Sequence, residues 1–396
     1  MKNIILNLSP VVFALLILTA ACEPVQEENT SLSLDPPLYE VYEDAFLLGT
    51  ILNRAQIYAD GGEVPVEVVR QDRRGYFVER QVIPQPEGLK LGLHHFNQVT
   101  AENVMKWEEI HPEPGVYDFD AADRLVDLAE ANGMHITGHA LVWHNQTPDW
   151  VFEDDNGQPI DRDALLERMR DHIHTVVGRY AGRVHSWDVV NEAVSEDGGF
   201  RQTRWLEIIG DDFIVRAFEY AHEADPEARL YYNDYNMETN PVKRQGAIDI
   251  VRNVMDSGVP VHGIGTQSHL NLLSFPDLAE VEQAIIDFAE LGIEVMVTEL
   301  DITVLPSPRS DDPDPYADGL PIDVAEEQAQ RYRDLFEIYL KHSDVVTRVT
   351  FWGHMDESHW LNYLPIERAN HPVLFDRDNQ AKPAFHAVYE LGAGRN

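Results

Sequence analysis

The sequence predicts a single α/β domain in which eight parallel strands close into a barrel surrounded by helices, a (β/α)8 barrel. Short apolar segments rich in β-branched residues alternate with helical stripes along most of the chain. Such strands are typical of parallel sheets that helices cover. Polar clusters end nearly every strand, at the edge where barrel enzymes build their active sites. A doubly wound open sheet is the alternative, and it is disfavoured because no GxGxxG motif opens the chain.

The predicted strand-and-helix units follow one another without a second domain or an internal repeat. The strands are expected around 46–49, 96–100, 135–144, 185–192, 229–235, 264–267, 294–301 and 349–352. Apolar residues at spacings of three and four follow the strands, as in Met169, Ile173 and Val176. In the helix after the second strand, we expect Asp120 to be the cap and Gly133 to end the helix.

Two segments interrupt this alternation inside the catalytic domain, which we expect to span 38–396. The first, 60–93, contains paired glycines, scattered valines and two prolines, and it suggests an added hairpin. The second, 306–321, combines prolines with aspartates and is predicted to be a long loop after the seventh strand. We expect this loop to shape one rim of the substrate cleft.

The composition is strongly acidic, with 69 acidic and 30 basic residues and a formal net charge of −39. This charge excludes nucleic acid as a partner, because phosphates bind Lys and Arg. It also disfavours electrostatic docking on anionic lipid. A neutral polymer such as a plant glycan is not repelled. Adaptation to a salty habitat explains the acidity equally well.

The first 21 residues read as a lipoprotein signal peptide. The apolar run Val11–Leu18 is too short to span a membrane and is typical of a signal-peptide core. Small residues precede Cys22, the single cysteine, and together they resemble a bacterial lipobox. We therefore expect a lipid on Cys22, an acidic tether over 22–37, and a location at the bacterial outer membrane, on the cell surface or the periplasmic face. An ordinary secretory signal with an incidental cysteine is the alternative.

Two glutamates stand at strand ends, Glu192 in WDVVNE and Glu299 in TELD. Hydrolysis of a glycosidic bond requires a proton for the leaving oxygen and an anion that faces the anomeric carbon, and two carboxyl groups supply both. A separation of about 5–5.5 Å allows a covalent intermediate and retention, whereas roughly 6.5–9.5 Å admits a water and gives inversion. The pattern predicts a retaining glycosidase.

Five motifs, in this order, carry a resemblance to a known family: AENVMKW, GHALVWH, WDVVNE, TELD and WG. Each lies at a predicted strand end, and together they look like glycoside hydrolase family 10, the retaining endo-β-1,4-xylanases. The similarity covers about 46–391. It implies a TIM barrel, xylan as the substrate, and no cofactor.

The resemblance implies a role for each matching residue. Glu192 matches the acid/base and Glu299 the nucleophile. His269 matches the histidine that hydrogen-bonds the nucleophile, with Asp301 behind it, and such bonds lower the pKa of a carboxylate. Asn191 is placed to hydrogen-bond the sugar 2-hydroxyl, an interaction that strengthens in the transition state.

Sugar recognition needs flat apolar faces for the ring and polar groups for the hydroxyls. The resemblance implies three groups of contacts: Glu102, Asn103 and Lys106 on the glycone side; His139, Trp143, Gln146, Gln267, Trp352 and Trp360 around the cleaved sugar; and Tyr235 on the leaving-group side. For Trp150, Trp187 and Trp205, core packing is the expected role or no role is assigned, and we expect Trp187 to fill the barrel.

Other functions are disfavoured. His135, His139 and His144 could approach one another, but no HExxH motif or cysteine set accompanies them, so no metal is expected. There is no phosphate loop and no GxSxG elbow. Two rivals stay open: the same machinery acting on another β-1,4-glycan, and a lipid-anchored glycan-binding protein that has lost catalysis. The presence of both glutamates favours an enzyme, which we expect to be a monomer.

Overall fold

A computed structural model describes residues 32, 34–59, 66–70, 77–306, 314–363 and 366–395. The predictions for the signal peptide and Cys22, and most of the tether 22–37, lie outside the described residues. So does most of the first half of the predicted rim loop, residues 307–313. Within the described part of the chain, no helix is both long enough and apolar enough to cross a membrane.

The strands form the closed barrel that the sequence predicts. In chain order they are β1 (Leu47–Leu52), β2 (Val66–Arg70), β3 (Phe77–Gln81), β4 (Gln98–Ala101), β5 (His135–Val142), β6 (Ser186–Asn191), β7 (Arg229–Asp234), β8 (Gly263–Thr266), β9 (His269–Asn271), β10 (Glu294–Thr303) and β11 (Val346–Phe351). The barrel runs β1-β4-β5-β6-β7-β8-β10-β11, and every pairing within it is parallel. It closes because β11 pairs with both β10 and β1. The predicted fold class is confirmed.

Helices cover the outside of the barrel. They are α1 (Arg54–Ile57), α2 (Pro86–His95), α3 (Trp107–Ile110), α4 (Asp120–Ala131), α5 (Arg162–Arg179), α6 (Arg204–Ile209), α7 (Phe213–Ala224), α8 (Pro241–Asp256), α9 (Leu278–Ala289), α10 (Ile322–Lys341) and α11 (Pro383–Ala393). The predicted stripe Met169, Ile173 and Val176 is fully buried. The predicted cap Asp120 is instead the first helical residue, and its backbone N–H bonds the carboxylate of Asp118.

The segment 60–93 contains the predicted hairpin, since β2 and β3 pair antiparallel. It also contains most of α2, which was not predicted from the sequence. Pro86 at the first helical turn was the available signal, because its missing N–H costs nothing there. Gly88 allows α2 to pack closely against Met355, because a Cβ at this position would lie 2.2 Å from the sulfur of Met355. A side chain at this position would force Met355 or α2 to shift.

Polar side chains meet inside the barrel. Thr137 of β5 hydrogen-bonds Arg348 of β11 and Gln98 of β4. Strands β5 and β11 are not neighbours, so this contact crosses the interior. The next residue on β5, Gly138, therefore faces outwards together with its register partner Trp187. The expectation that Trp187 fills the barrel is wrong: its ring lies outside, near Tyr180 at the end of α5.

Candidate active site

The ends of β6 and β10 bring the two predicted catalytic glutamates to the same edge of the barrel. The backbone N–H of Glu192 donates to Asn233 O at 2.9 Å, and that of Glu299 donates to Gln267 O at 3.0 Å. Each glutamate is thus fixed by the exit of the neighbouring strand. This is the carboxyl-terminal face, where the fold places catalytic side chains.

Three amide side chains link the two carboxylates. Gln267 Nε2 donates to Glu192 Oε1 at 3.0 Å, and Asn233 Nδ2 donates to Glu299 Oε1 at 2.7 Å. Both amides also donate to Asn191 Oδ1, at 3.3 Å from Gln267 and 3.0 Å from Asn233. The structure therefore brings together Glu192, Glu299, Asn191 and Gln267, four of the residues predicted from the sequence.

Glu299 is 5% exposed and belongs to a chain of charges. His269 Nε2 lies 3.1 Å from Glu299 Oε2, and His269 Nδ1 lies 2.9 Å from Asp301 Oδ2. Burial by itself raises the pKa of Glu299, but the hydrogen bond from His269 and the nearby positive charge of His139 and His269 outweigh it and lower that pKa. Glu299 is therefore held ionised.

His269 is cationic within this chain. Burial lowers its pKa, but the charge of Asp301 and the hydrogen bonds to Asp301 and Glu299 raise that pKa well above the ordinary value. Asp301 Oδ2 also accepts the indole N–H of Trp360 at 3.0 Å. The predicted sugar-binding Trp360 thus fixes the far end of the Glu299–His269–Asp301 chain as well.

Glu192 has a different environment. Its φ of +60° lies in the left-handed region, which is uncommon for a residue other than glycine. Its carbonyl oxygen accepts from Arg201 Nε at 2.8 Å. His144 Nε2 lies 4.0 Å from Glu192 Oε2. Burial lowers the pKa of His144 to about 4, and the charges of Arg201 and Lys243 act in the same direction, so this imidazole is neutral near pH 7.

The predicted glycone-side residues form one cluster. Lys106 Nζ donates to Asn103 Oδ1 and to Gln146 Oε1, both at 2.9 Å. The ammonium also lies 4.8 Å from the centre of the Trp143 ring. Burial lowers the pKa of Lys106, while the charge of Glu102 and of three other glutamates opposes this. A compact, hydrogen-bonded lysine of this kind is suited to a sugar hydroxyl.

The remaining predicted contacts border the two glutamates. His139 is buried, with Nδ1 2.9 Å from Asp188 Oδ2 and its ring edge-on to Trp352 at 5.2 Å. Trp352 also lies 6.4 Å from the ring of His269. Tyr235, after β7, accepts from Arg201 Nη2 at 2.7 Å through its hydroxyl. These rings can supply the flat surfaces that pyranose rings need.

Three residues that contact the predicted site were not predicted from the sequence. Asn233, which binds Glu299, lies within the YNDYN stretch that pointed to Tyr235, so its position at a strand end was a usable signal. Arg201 and Lys243 come from a loop and from α8, and no local pattern marks them. The histidines considered for a metal lie apart: His135 stacks on His185 at the start of β5. In the described ranges, no group of three or more His, Cys, Asp or Glu residues could hold a metal ion.

Comparisons with known proteins identify the family. The sequence model described as glycosyl hydrolase family 10 matches residues 72–391, most of the chain. The chain belongs to glycosyl hydrolase family 10. Among the similar proteins is the endo-1,4-beta-xylanase B of Paenibacillus barcinonensis, 47% identical over 299 residues that make up 74% of this chain and 88% of that protein.

Two further relatives extend over nearly the whole sequence. The beta-1,4-xylanase of Dictyoglomus thermophilum is 41% identical over 386 residues, which cover 97% of this chain and 98% of that protein. The solved structure of a family 10 endoxylanase from a sugarcane soil metagenome matches with a TM-score of 0.81 and 42% identity, covering 90% of this chain and 99% of that one. The predicted family and barrel are confirmed.

Proposed function

We propose that this chain is a retaining endo-1,4-β-xylanase, with Glu192 as general acid and base and Glu299 as nucleophile. The observation that carries the assignment of roles is the pair of environments at the strand ends. Glu299 is buried and held ionised by His269, as a nucleophile requires. Glu192 lies at the other end of the amide link. The activity predicted from the sequence is confirmed by the family and its named relatives, and retention is general to the family.

The first step forms a glycosyl–enzyme ester. An oxygen of Glu299 attacks the anomeric carbon, the bond to the leaving-group oxygen breaks, and the proton of Glu192 passes to that oxygen. Asn191 is adjacent to Glu192 and accepts hydrogen bonds from Asn233 and Gln267. Its amide N–H groups are thereby oriented, and they can strengthen a bond to the sugar 2-hydroxyl as charge develops.

The second step reverses the roles. Glu192, now a carboxylate, takes a proton from a water that attacks the anomeric carbon from the side that the leaving group vacated. The ester bond breaks, Glu299 regains its negative charge, and the new reducing end has the β configuration. His269 stays protonated through both steps because Asp301 balances its charge.

Substrate preference distinguishes this proposal from a glucan-degrading rival. Xylose lacks the hydroxymethyl arm of glucose, so the space beside Trp352 and Trp360 decides which sugar fits. We expect higher initial rates on xylan than on carboxymethylcellulose. A clear preference for carboxymethylcellulose would contradict the substrate assignment. The Glu299→Ala variant should keep binding to xylan while losing hydrolysis, and unchanged turnover would contradict the role of Glu299.

The proposal extends to location: a lipid on Cys22 anchors a monomeric enzyme at a bacterial outer membrane, and the acidic tether 22–37 spaces it from the bilayer. The apolar run Val11–Leu18 and the small residues before Cys22 support this anchor. Replacing Cys22 by Ser should release the enzyme from the membrane fraction of the producing cells, while an ordinary secretory signal predicts soluble enzyme from both forms. Light scattering on the isolated domain tests the monomer.

A further inference from the structure

The backbone that carries Glu192 is held by side chains from the end of β7 and from the following loops. The N–H of Ala193 donates to the hydroxyl of Tyr232 at 3.1 Å, and the N–H of Val194 donates to Asp234 Oδ2 at 3.2 Å. Arg201 Nε binds Glu192 O. A glutamate in the left-handed region persists only where surrounding contacts enforce it. Asp234 supplies one of these contacts.

Lys243 lies directly behind these contacts. This lysine of α8 is 0% exposed, as is Asp234, and its ammonium is 3.0 Å from Asp234 Oδ1. The same ammonium lies 3.1 Å from Glu196 Oε1, on the loop that follows Glu192. It also lies 3.3 Å from the centre of the Tyr235 ring. One cation therefore joins the end of β7, the loop of Glu192 and the aromatic ring on the leaving-group side.

The positive charge of Lys243 favours the ionised form of Asp234, which accepts these hydrogen bonds. Burial outweighs the opposing positive charge of Lys243 and raises the pKa of Asp234 to about 6, and without that charge the pKa would be higher still. Ionised, the carboxylate accepts from Val194, from the N–H of Tyr235 at 2.9 Å, and from the hydroxyl of Tyr232 at 2.6 Å. Removing one partner of a buried ion pair leaves the other uncompensated, which is strongly unfavourable.

We propose that Lys243 is a positioning residue for proton donation to the leaving group. It holds Asp234 and Glu196, and through them the backbone of Glu192, and it fixes the ring of Tyr235 beside the departing sugar. The inference rests on the proposed function, in which Glu192 is the proton donor. Glu299 is held by His269 and Asn233, so loss of Lys243 affects one of the two catalytic carboxyl groups more than the other.

Two aryl xylobiosides distinguish an effect on the proton donor Glu192 from an effect on the nucleophile Glu299. Phenolate is a poor leaving group that needs protonation, whereas 2,4-dinitrophenolate leaves without it. For both substrates kcat/KM reports formation of the glycosyl–enzyme. General acid catalysis contributes about 10²–10⁴-fold. We expect Lys243→Met to lower kcat/KM for the phenyl glycoside by roughly 10–100-fold, a part of that contribution. The dinitrophenyl glycoside should lose less than about threefold, because its cleavage bypasses the acid.

Arg244 offers a matched control on the same helix. It is 4% exposed and paired with Asp287 at 2.7 Å, so it is also a buried cation in an ion pair, but its partner lies on α9. Arg244→Met should leave the ratio of the two kcat/KM values unchanged. Equal losses on both substrates in Lys243→Met, or the same change of ratio in Arg244→Met, would overturn the inference.

Activity on the dinitrophenyl glycoside also reports a folded barrel with a working nucleophile. If Lys243→Met is not obtained folded, the double variant Asp234→Asn with Lys243→Met removes both charges and leaves neither unpaired. We expect the same selective loss on the phenyl glycoside, and equal losses would overturn the role of the Lys243–Asp234 pair. Wild-type enzyme that cleaves neither xylan nor either aryl xylobioside would instead contradict the proposed function itself.

Discussion

The Nε2 atom of His269 lies 3.1 Å from Oε2 of Glu299, at the edge of the barrel where the strands end. The other ring nitrogen of His269 binds Asp301 at 2.9 Å. A cation between two carboxylates keeps the first of them ionised without requiring a solvated position. This arrangement connects the fold to the chemistry, because β9 supplies His269 and the adjacent β10 supplies both carboxylates.

The first prediction concerns the pH profile of Asp301→Asn. Loss of the Asp301 charge lowers the pKa of His269, so the ring carries less positive charge near pH 7 and depresses the pKa of Glu299 less. A higher nucleophile pKa moves the acidic limb of the kcat/KM profile to higher pH. The measurement is kcat/KM on an aryl xylobioside as a function of pH. An acidic limb at the wild-type position would contradict the proposed ion chain.

The second prediction concerns how the free energy of unfolding depends on pH. The pKa of Glu299 is lowered from 4.5, so its stabilising contribution is present above about pH 4.5 and is lost as the pH falls through the folded value. The pKa of His269 is raised above 6.5, so its contribution is fully present below about pH 6.5 and is lost as the pH rises through the folded value.

The free energy of unfolding of wild type minus that of His269→Asn should therefore be greatest between about pH 4.5 and 6.5. Urea unfolding of both proteins across the pH range measures this difference. A difference that does not vary with pH would show that the two groups do not interact as the distances indicate.

The third prediction concerns packing at Gly138. A Cβ at this position would lie 2.1 Å from the ring of Trp187, which is fully buried. Gly138→Ala should lower the free energy of unfolding by about 1–3 kcal/mol, because the ring has to shift. Gly178→Ala in α5 is the control: its Cβ meets nothing within 4 Å, and alanine favours the helix by up to about 1 kcal/mol. Equal effects of the two substitutions in denaturant unfolding would contradict the packing around Trp187.

The fourth prediction concerns salt. Surface ion pairs such as Arg183 with Asp127 and Glu130 lose strength on screening. The excess of 69 acidic over 30 basic residues makes repulsion dominant. The Tm should therefore rise from about 0.01 M to about 0.5 M NaCl, as the Debye length shortens from about 30 Å to below 10 Å. A Tm that falls over this range would show that ion pairs outweigh the net repulsion.

The fold was predictable because apolar alternation and polar strand ends are local patterns. Glu192, Glu299 and His269 were predictable because each stands in a short motif at such an end. Lys243 and Arg201 were not, since their partners lie on other elements and no local pattern records the register between β6, β7 and α8. The predicted orientation of Trp187 was wrong for a related reason. Alternation along β6 shows that successive side chains point to opposite faces of the strand, but it does not show which face lies inside the barrel. The contacts of Thr137 across the barrel show this.

The central claim is that Glu299 forms a covalent bond to the sugar and that Glu192 then directs water to the same carbon. Proton NMR during the first minutes of xylan digestion tests it most directly, because the anomeric signals of new reducing ends show which configuration appears first. The account predicts the β anomer first, followed by the α anomer through mutarotation. New ends that appear first as the α anomer would contradict the double displacement.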